Sequence, residues 1–254
     1  MCARLYVVLF FLLTGSNGIA SEKLLEKINR CENEAVLDYI NNNGDLNSES
    51  WINGFPILSA LLYEGRENAA QLLLKGGASL TTNNFNTSPL HIILTRPDLS
   101  GFLVWLIKNN YIEVNAKVES FFKKNVPLIA VSADAGAVNI VQTFIDQGAD
   151  VNATDSNKDS VLHYAVDAKQ IEIVKLLIAS GADVSVINAE GDSLLHYAIY
   201  DKDIEMITLL VKSGIELCKK NNMGLSAIDL AKISDKTGSI SHLLHALGAS
   251  NCRE

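Results

Sequence analysis

The sequence predicts an all-α chain, a solenoid of stacked helix-turn-helix pairs joined by hairpin-like tips between repeats. Three observations lead there. A short block recurs at even spacing, in Ser160-Val-Leu-His-Tyr-Ala165, Ser193-Leu-Leu-His-Tyr-Ala198 and Ser226-Ala-Ile-Asp-Leu-Ala231. A second marker keeps the same phase, in Gly148-Ala149-Asp150-Val151-Asn152, Gly181-Ala182-Asp183-Val184 and Gly214-Ile215-Glu216. Between the markers, apolar residues fall at i, i+3 and i+4, the spacing of a helix face. Self-similarity at such a period means units that cannot bury their apolar faces alone and do so by stacking.

Composition bounds the rest. The chain has 254 residues, with Lys+Arg 21 against Asp+Glu 29 and a net charge of −8. That balance argues against nucleic acid as a partner, since such binding rests on basic residues neutralising phosphates. A hydrophobic fraction of 48% and a charged fraction of 20% are globular values, not those of a disordered chain. Only 4 Pro and 16 Gly exclude collagen-like and proline-rich architecture, and 4 Cys are too few for a disulfide-dense scaffold.

Residues 1–20 predict a secretory signal. Arg4 and the amino terminus supply positive charge, an unbroken apolar run follows at 5–13, and Gly18 and Ala20 put small side chains before a cut after Ala20. That run falls short of the roughly 20 residues that span a bilayer, so no stable membrane span is expected after cleavage. An uncleaved signal anchor tethering the chain to a membrane is the alternative. Cleavage would remove Arg4 and no acid, making the mature chain one charge more negative.

The mature part, 21–254, is expected to be one domain without a linker. Its N-terminal capping repeat is 21–50, where Leu24, Leu25 and Ile28 form one stripe of a charged helix over 22–30. Repeats follow at 51–83, 84–118, 119–154, 155–187 and 188–220, and a C-terminal capping repeat at 221–254. Weaker copies of the first block are Phe55-Pro-Ile-Leu-Ser-Ala60, Ser88-Pro-Leu-His-Ile-Ile93 and Val126-Pro-Leu-Ile-Ala-Val131. Ser before the first helix is a good N-cap, and Pro suits a first turn. Second helices are predicted at 171–178 and 204–211, each stopped by a Gly (Gly181, Gly214) where a left-handed residue is needed. A closing helix is predicted at 240–247, with Ser241, His242 and His245 toward solvent. The interval from Pro89 to Pro127 exceeds the period, and the excess is placed at 96–101 and 117–124.

The two markers resemble the signature of the ankyrin repeat, Thr-Pro-Leu-His-x-Ala followed by Gly-Ala-Asp-Val-Asn, over nearly all of the mature chain. The chain departs from it by using Ser for Thr and by losing the His at Leu58, Ile129 and Asp229. The resemblance implies a structural role for His91, His163 and His196, tying neighbouring repeats by hydrogen bonds. It also implies that a partner docks on the concave face made by the tips and first helices. Large apolar residues at tips, Trp51, Phe85 and Phe122, with Lys123 at their edge, are candidate anchors, because aromatic side chains dominate interface energetics. Folding inward over the middle repeats is the competing reading for them. Asn157, Asp159, Glu190 and Asp192 are the corresponding C-terminal tip candidates; the acids there (Asp155, Asp159, Glu190 and Asp192) suit a partner with basic patches, and a plainly solvated edge is the commoner reading. Trp105, in a second helix, is expected in the core.

Chemistry beyond binding finds little support. Equivalent His residues on stacked helices sit about 8–10 Å apart, whereas zinc ligands lie about 2.0–2.1 Å from one centre, so no metal and no cofactor are expected. No nucleophile elbow, His-Glu-x-x-His or phosphate-cradling loop occurs, so the chain is read as no enzyme, without a small-molecule substrate. Cys218 and Cys252 hold equivalent positions in consecutive repeats. A rigid stack would keep them too distant for a disulfide, while a frayed terminus would let them meet. The expected protein is thus exported, periplasmic or secreted, and binds another protein whose identity the sequence leaves open. A structural or protective partner of an envelope enzyme, and an enzyme with a cryptic site, are the rival readings.

Overall fold

The computed structural model describes residues 33–47, 56–81, 88–119 and 123–248. The expected signal, the charged helix over 22–30 and the tip aromatics Trp51, Phe85 and Phe122 lie outside those residues. Backbone packing divides the chain into two compact units, Met1–Ile93 and Leu94–Glu254. No single helix among the described residues is long and apolar enough to cross a membrane.

In the first unit, α1 (Asn33–Asn41) and α2 (Ile57–Tyr63) both pack on α3 (Glu67–Lys75). Helices of seven to nine residues are unstable alone, so their stability comes from the packed face. Val36, Leu58, Leu61, Leu62 and Leu73 are fully buried there. The Asn47 side-chain oxygen accepts from the Ser79 N–H at 2.7 Å, one turn tying the next. α4 (Pro89–Thr95) begins in this unit, where the Leu90 N–H donates to Leu80 O at 2.9 Å.

The second unit opens with the 3-10 turn Pro97–Leu99, which runs directly into α5 (Ser100–Lys108). The excess sequence expected at 96–101 is therefore ordered, and Leu99 is buried in the core. The excess at 117–124 contributes β1 (Lys117–Val118), paired antiparallel with β2 (Val126–Pro127). Four repeats follow as α6 (Leu128–Asp134) with α7 (Val138–Asp146), α8 (Val161–Asp167) with α9 (Ile171–Ala179), α10 (Leu194–Tyr200) with α11 (Ile204–Lys212), and α12 (Ala227–Ser234) with α13 (Ser239–Ala246). The first helices α6, α8, α10 and α12 pack in series, as do the second helices α5, α7 and α9.

The sequence pattern explains the difference between the two helix types. In α8 every residue from Val161 to Val166 is buried, because a first helix is flanked on both sides by other first helices. Second helices bury one stripe at i, i+1 and i+4: Ile140, Val141 and Phe144, then Ile173, Val174 and Leu177, then Met206, Ile207 and Leu210. Gly181 and Gly214 close their helices with φ of 91° and 87°, where a side chain would be strained. Trp105 departs from its expected core place. It is half-buried and stacks between Phe102 and Tyr111, at ring-centroid distances of 5.7 and 5.2 Å.

Candidate protein-interaction face

The last three tips of the second unit are each built around one side chain. The carboxylate of Asp155 accepts the N–H groups of Asn157 and Asp159 at 2.8 and 2.9 Å. Asn188 and Asn221, at the same position one and two repeats on, do the same for Glu190 with Asp192 and for Met223 with Leu225, at 3.0–3.1 Å. An amide in this place also donates backward: Asn188 Nδ2 to Asp159 Oδ1 at 3.3 Å, and Asn221 Nδ2 to Asp192 Oδ1 at 2.7 Å. A backbone ladder runs beside these bonds, from Ser156 N–H to Lys124 O, Ala189 N–H to Asn157 O and Asn222 N–H to Glu190 O, at 2.7–3.0 Å.

This corrects two expected docking residues. Asp159 and Asp192 are only 4% and 9% exposed, because their carboxylates satisfy the tip amides of the next repeat. Asn157 and Glu190 do stand exposed. Lys123 is half-buried. Its Nζ lies 3.3 Å from Asp159 Oδ2 and 4.1 Å from the Tyr164 ring centroid.

The histidines brace the first helices. The Ser160 N–H donates to His163 Nδ1 at 3.1 Å. A backbone amide can only donate, so Nδ1 is the acceptor and the proton sits on Nε2. Nε2–H then donates to Asp192 O in the next repeat, at 3.3 Å. His196 repeats the arrangement, with Ser193 N–H at 3.2 Å and Leu225 O at 3.1 Å. Burial holds the His163 pKa below its ordinary value and keeps the ring neutral. At Asp229 half of the device survives: its carboxylate accepts from Ser226 N–H and Oγ at 3.0 and 2.6 Å. An ionised carboxylate has no proton to give a carbonyl beyond. At Leu58 and Ile129 buried aliphatics stand instead, after Pro56 and Pro127, which lack a capping side chain. His91 is half-buried, with its N–H donating to Ser88 Oγ at 3.2 Å.

Two tyrosines join tips to helices. The Tyr164 hydroxyl donates to Asp155 at 2.9 Å and the Tyr197 hydroxyl to Asp159 at 2.8 Å. Beside them an exposed column recurs at the ends of the first helices: Asp134, Asp167, Tyr200 and Ile233, one per repeat. Though both residues are exposed as a whole, partial desolvation of their carboxyl groups against neighbouring elements raises the pKa of Asp134 and of Asp167. Asp167 adds to the shift at Asp134, and Asp201 and Asp159 add to that at Asp167, while Lys123 opposes both. A second exposed column lies on the tips, at Asn157, Glu190 and Met223. The helix-end column was not singled out from sequence, though the repeat period, applied two turns beyond Pro127, Ser160, Ser193 and Ser226, finds it.

Among the described residues no group of His, Cys, Asp and Glu could hold a metal ion. His242 and His245 are solvent-exposed, while Ser241 beside them is half-buried rather than turned to solvent. Cys218 is disulfide-bonded; Cys2, Cys31 and Cys252 lie outside the described residues.

Comparison with known proteins agrees with this geometry. The family model for ankyrin repeats (3 copies) matches residues 95–188 and again 128–221, together half of the chain. Neurogenic locus notch homolog protein 1 of Xenopus laevis is 28% identical over 130 residues, covering 51% of this chain. The chain spans about a twentieth of that relative, 5% of its length. With the recurring caps, tips and stacked pairs, the matched half of the sequence shows that the chain belongs to the ankyrin-repeat family.

Proposed function

We propose that this protein is an exported, non-enzymatic module that binds another protein through its tips and first-helix ends. Ankyrin repeats are protein-interaction modules. The observation that carries the reading is the division of labour on the second unit. Asp155, Asp159, His163, Asn188, Asp192, His196 and Asn221 turn inward and fix the scaffold, while Asp134, Asn157, Asp167, Glu190, Tyr200, Met223 and Ile233 stand out from it in register. A preformed surface loses little entropy on docking, which is how a repeat array binds.

Export is supported by the apolar run at 5–13 with small residues before Ser21, and by the disulfide at Cys218, since such bonds persist in oxidising compartments. Trp51, Phe85 and Phe122 are proposed as further anchors on their tips. Replacing them with Ser should weaken partner binding while helical content stays; lost helicity would mark them as core.

The test is differential capture. The mature chain as bait should retain a partner that Asp167→Arg and Met223→Asp lose, whereas Glu172→Arg on a second helix keeps it, all three showing wild-type circular dichroism. Equal loss in all, or in none, contradicts the face. Intact mass from the producing cell tests the address: a product starting at Ser21 is expected, and a cytosolic product starting at Met1 contradicts export.

A further inference from the structure

Lys123 shows what one slot on this face takes. Its ammonium lies 3.3 Å from the Asp159 carboxylate and 4.1 Å from the centre of the Tyr164 ring, so an acid and a π face share one cation. Moved on by one repeat, Tyr164 becomes Tyr197, Asp159 becomes Asp192 and Lys123 becomes Ser156. The acceptors repeat; the cation does not. Asp167 also acts electrostatically on Tyr197, and Asp192 on Tyr200, so these groups share one neighbourhood.

One repeat further the character of the face changes. Positions in register with Asp167 and Glu190 hold Ile233 and Met223, which are 64% and 67% exposed, and Tyr200 is 47% exposed. Three large apolar side chains thus stand exposed at the tip and first-helix ends of the last two repeats, and where such groups form a contiguous patch they mark an interaction site.

We propose that the face receives a protein segment bearing a Lys or Arg, whose cation seats against Tyr197 between Asp167 and Asp192 Oδ2, the oxygen that Asp192 does not give to Asn221 inside the stack and that matches the Asp159 oxygen met by Lys123, followed by a large apolar side chain that packs on Tyr200, Met223 and Ile233. This rests on the interaction-module reading and adds the chemistry of the partner. Charge complementarity selects the occupant. Asp134, Asp167, Asp201 and Glu190 edge the face; of its nearby lysines Lys123 is held by Asp159 and Lys169 lies 3.6 Å from Asp201, while Lys158 and Lys202 stand exposed at its margin, leaving acids in excess. An acidic segment meets repulsion there. Adjacent repeats lie about 8–10 Å apart, the reach of about three extended residues, so the basic and apolar side chains stand about three positions apart.

Panning a phage library of random dodecapeptides on the full mature chain tests this. Enriched peptides should carry Lys or Arg with a large apolar residue about three positions away. Ser156→Lys supplies the missing cation from within, and should weaken binding of those peptides about tenfold, roughly 1.4 kcal/mol. Glu172→Lys, a charge change of two units against one, on a second helix, should leave Kd within about twofold, because it is remote and solvent-screened. Enriched peptides without a cation, or unchanged binding by Ser156→Lys, would overturn the proposal and leave the interaction module standing. Enrichment of no peptide at all counts against both. Should Ser156→Lys fail to fold, Met223→Ser at its exposed tip tests the apolar half, with loss of binding expected and unchanged binding contradicting it.

Discussion

Replacing His163 with Ala isolates the inter-repeat brace. The ring is 1% exposed, with Nδ1 taking the Ser160 N–H and Nε2–H reaching Asp192 O. Asp192 O keeps a second bond, from Asn188 N–H at 3.0 Å, so it is not orphaned. Ser160 Oγ still accepts from the N–H of residue 163. The Ser160 N–H is the group left buried without an acceptor, costing about 1–3 kcal/mol, and the lost cross-repeat bond adds about 0.5–1.5 kcal/mol. The emptied imidazole space, against which Tyr197 packs edge-on with ring centroids 5.2 Å apart, pushes in the same direction. A loss of about 2–4 kcal/mol is expected, against less than about 0.5 kcal/mol for His245→Ala on an exposed helix face. Urea unfolding followed by circular dichroism reads the difference. Native-state hydrogen exchange should show the Ser160 amide losing protection first, because its acceptor is gone while the amides of Asp192 and Ser193 keep theirs on Asn188 and His196. Equal losses for the two variants would refute the bracing role.

Other outcomes follow from the same geometry. His163 has its pKa lowered by burial, so below its ordinary value of 6.5 the unfolded chain binds the proton more readily. Its contribution is complete above that pH and fades as pH falls through it, a dependence that His163→Gln should flatten in denaturation at about pH 7.5 and 5.5. Asp134 and Asp167 have raised values and act oppositely: stability rises as pH drops from those raised values toward 3.8, and Asp167→Asn should raise the midpoint at neutral pH. Gly191 has φ of 78° and a Cβ there would lie 3.0 Å from the Asn222 backbone nitrogen, so Gly191→Ala should destabilise by more than the about 1–2 kcal/mol of the left-handed conformation alone. Lys202 adopts φ of 55° where Gly65 and Gly136 stand in other repeats. Lys202→Gly should therefore gain up to about 1 kcal/mol in thermal melts, the relief of strain exceeding the added chain entropy. Peptide mapping without reduction should find Cys218 joined to Cys252; a free Cys218 thiol removes one support for export.

The period made most of the fold legible, and the reasons are physical. Ser160, Ser193 and Ser226 sit where a cap is needed, and His163 and His196 follow three positions later, where a ring can reach back to the cap and onward to the next repeat. The acids were harder to read. Asp159 and Asp192 look like solvated tip residues in sequence, and only the Asn188 and Asn221 side chains facing them from the next tip turn them inward. Asp134, Asp167, Tyr200 and Ile233 differ so much in chemistry that no shared residue type announces their common place. Trp105 reads as core by its helical spacing, but the ring stacks at the edge of its helix on Phe102 and Tyr111. The ribbon of Lys117–Val118 with Val126–Pro127 is too short for an alternation signal to emerge.

Site-specific photo-crosslinking in the producing cell addresses the docking face most directly. A benzophenone side chain replaces, one at a time, Asn157, Glu190 and Met223 on the tips, and Glu172, Glu205 and Lys212 on the second helices, all of them exposed. Light-dependent adducts with a second protein at the three tip positions, and none at the three helical ones, are the predicted result. Adducts confined to the second helices would contradict it.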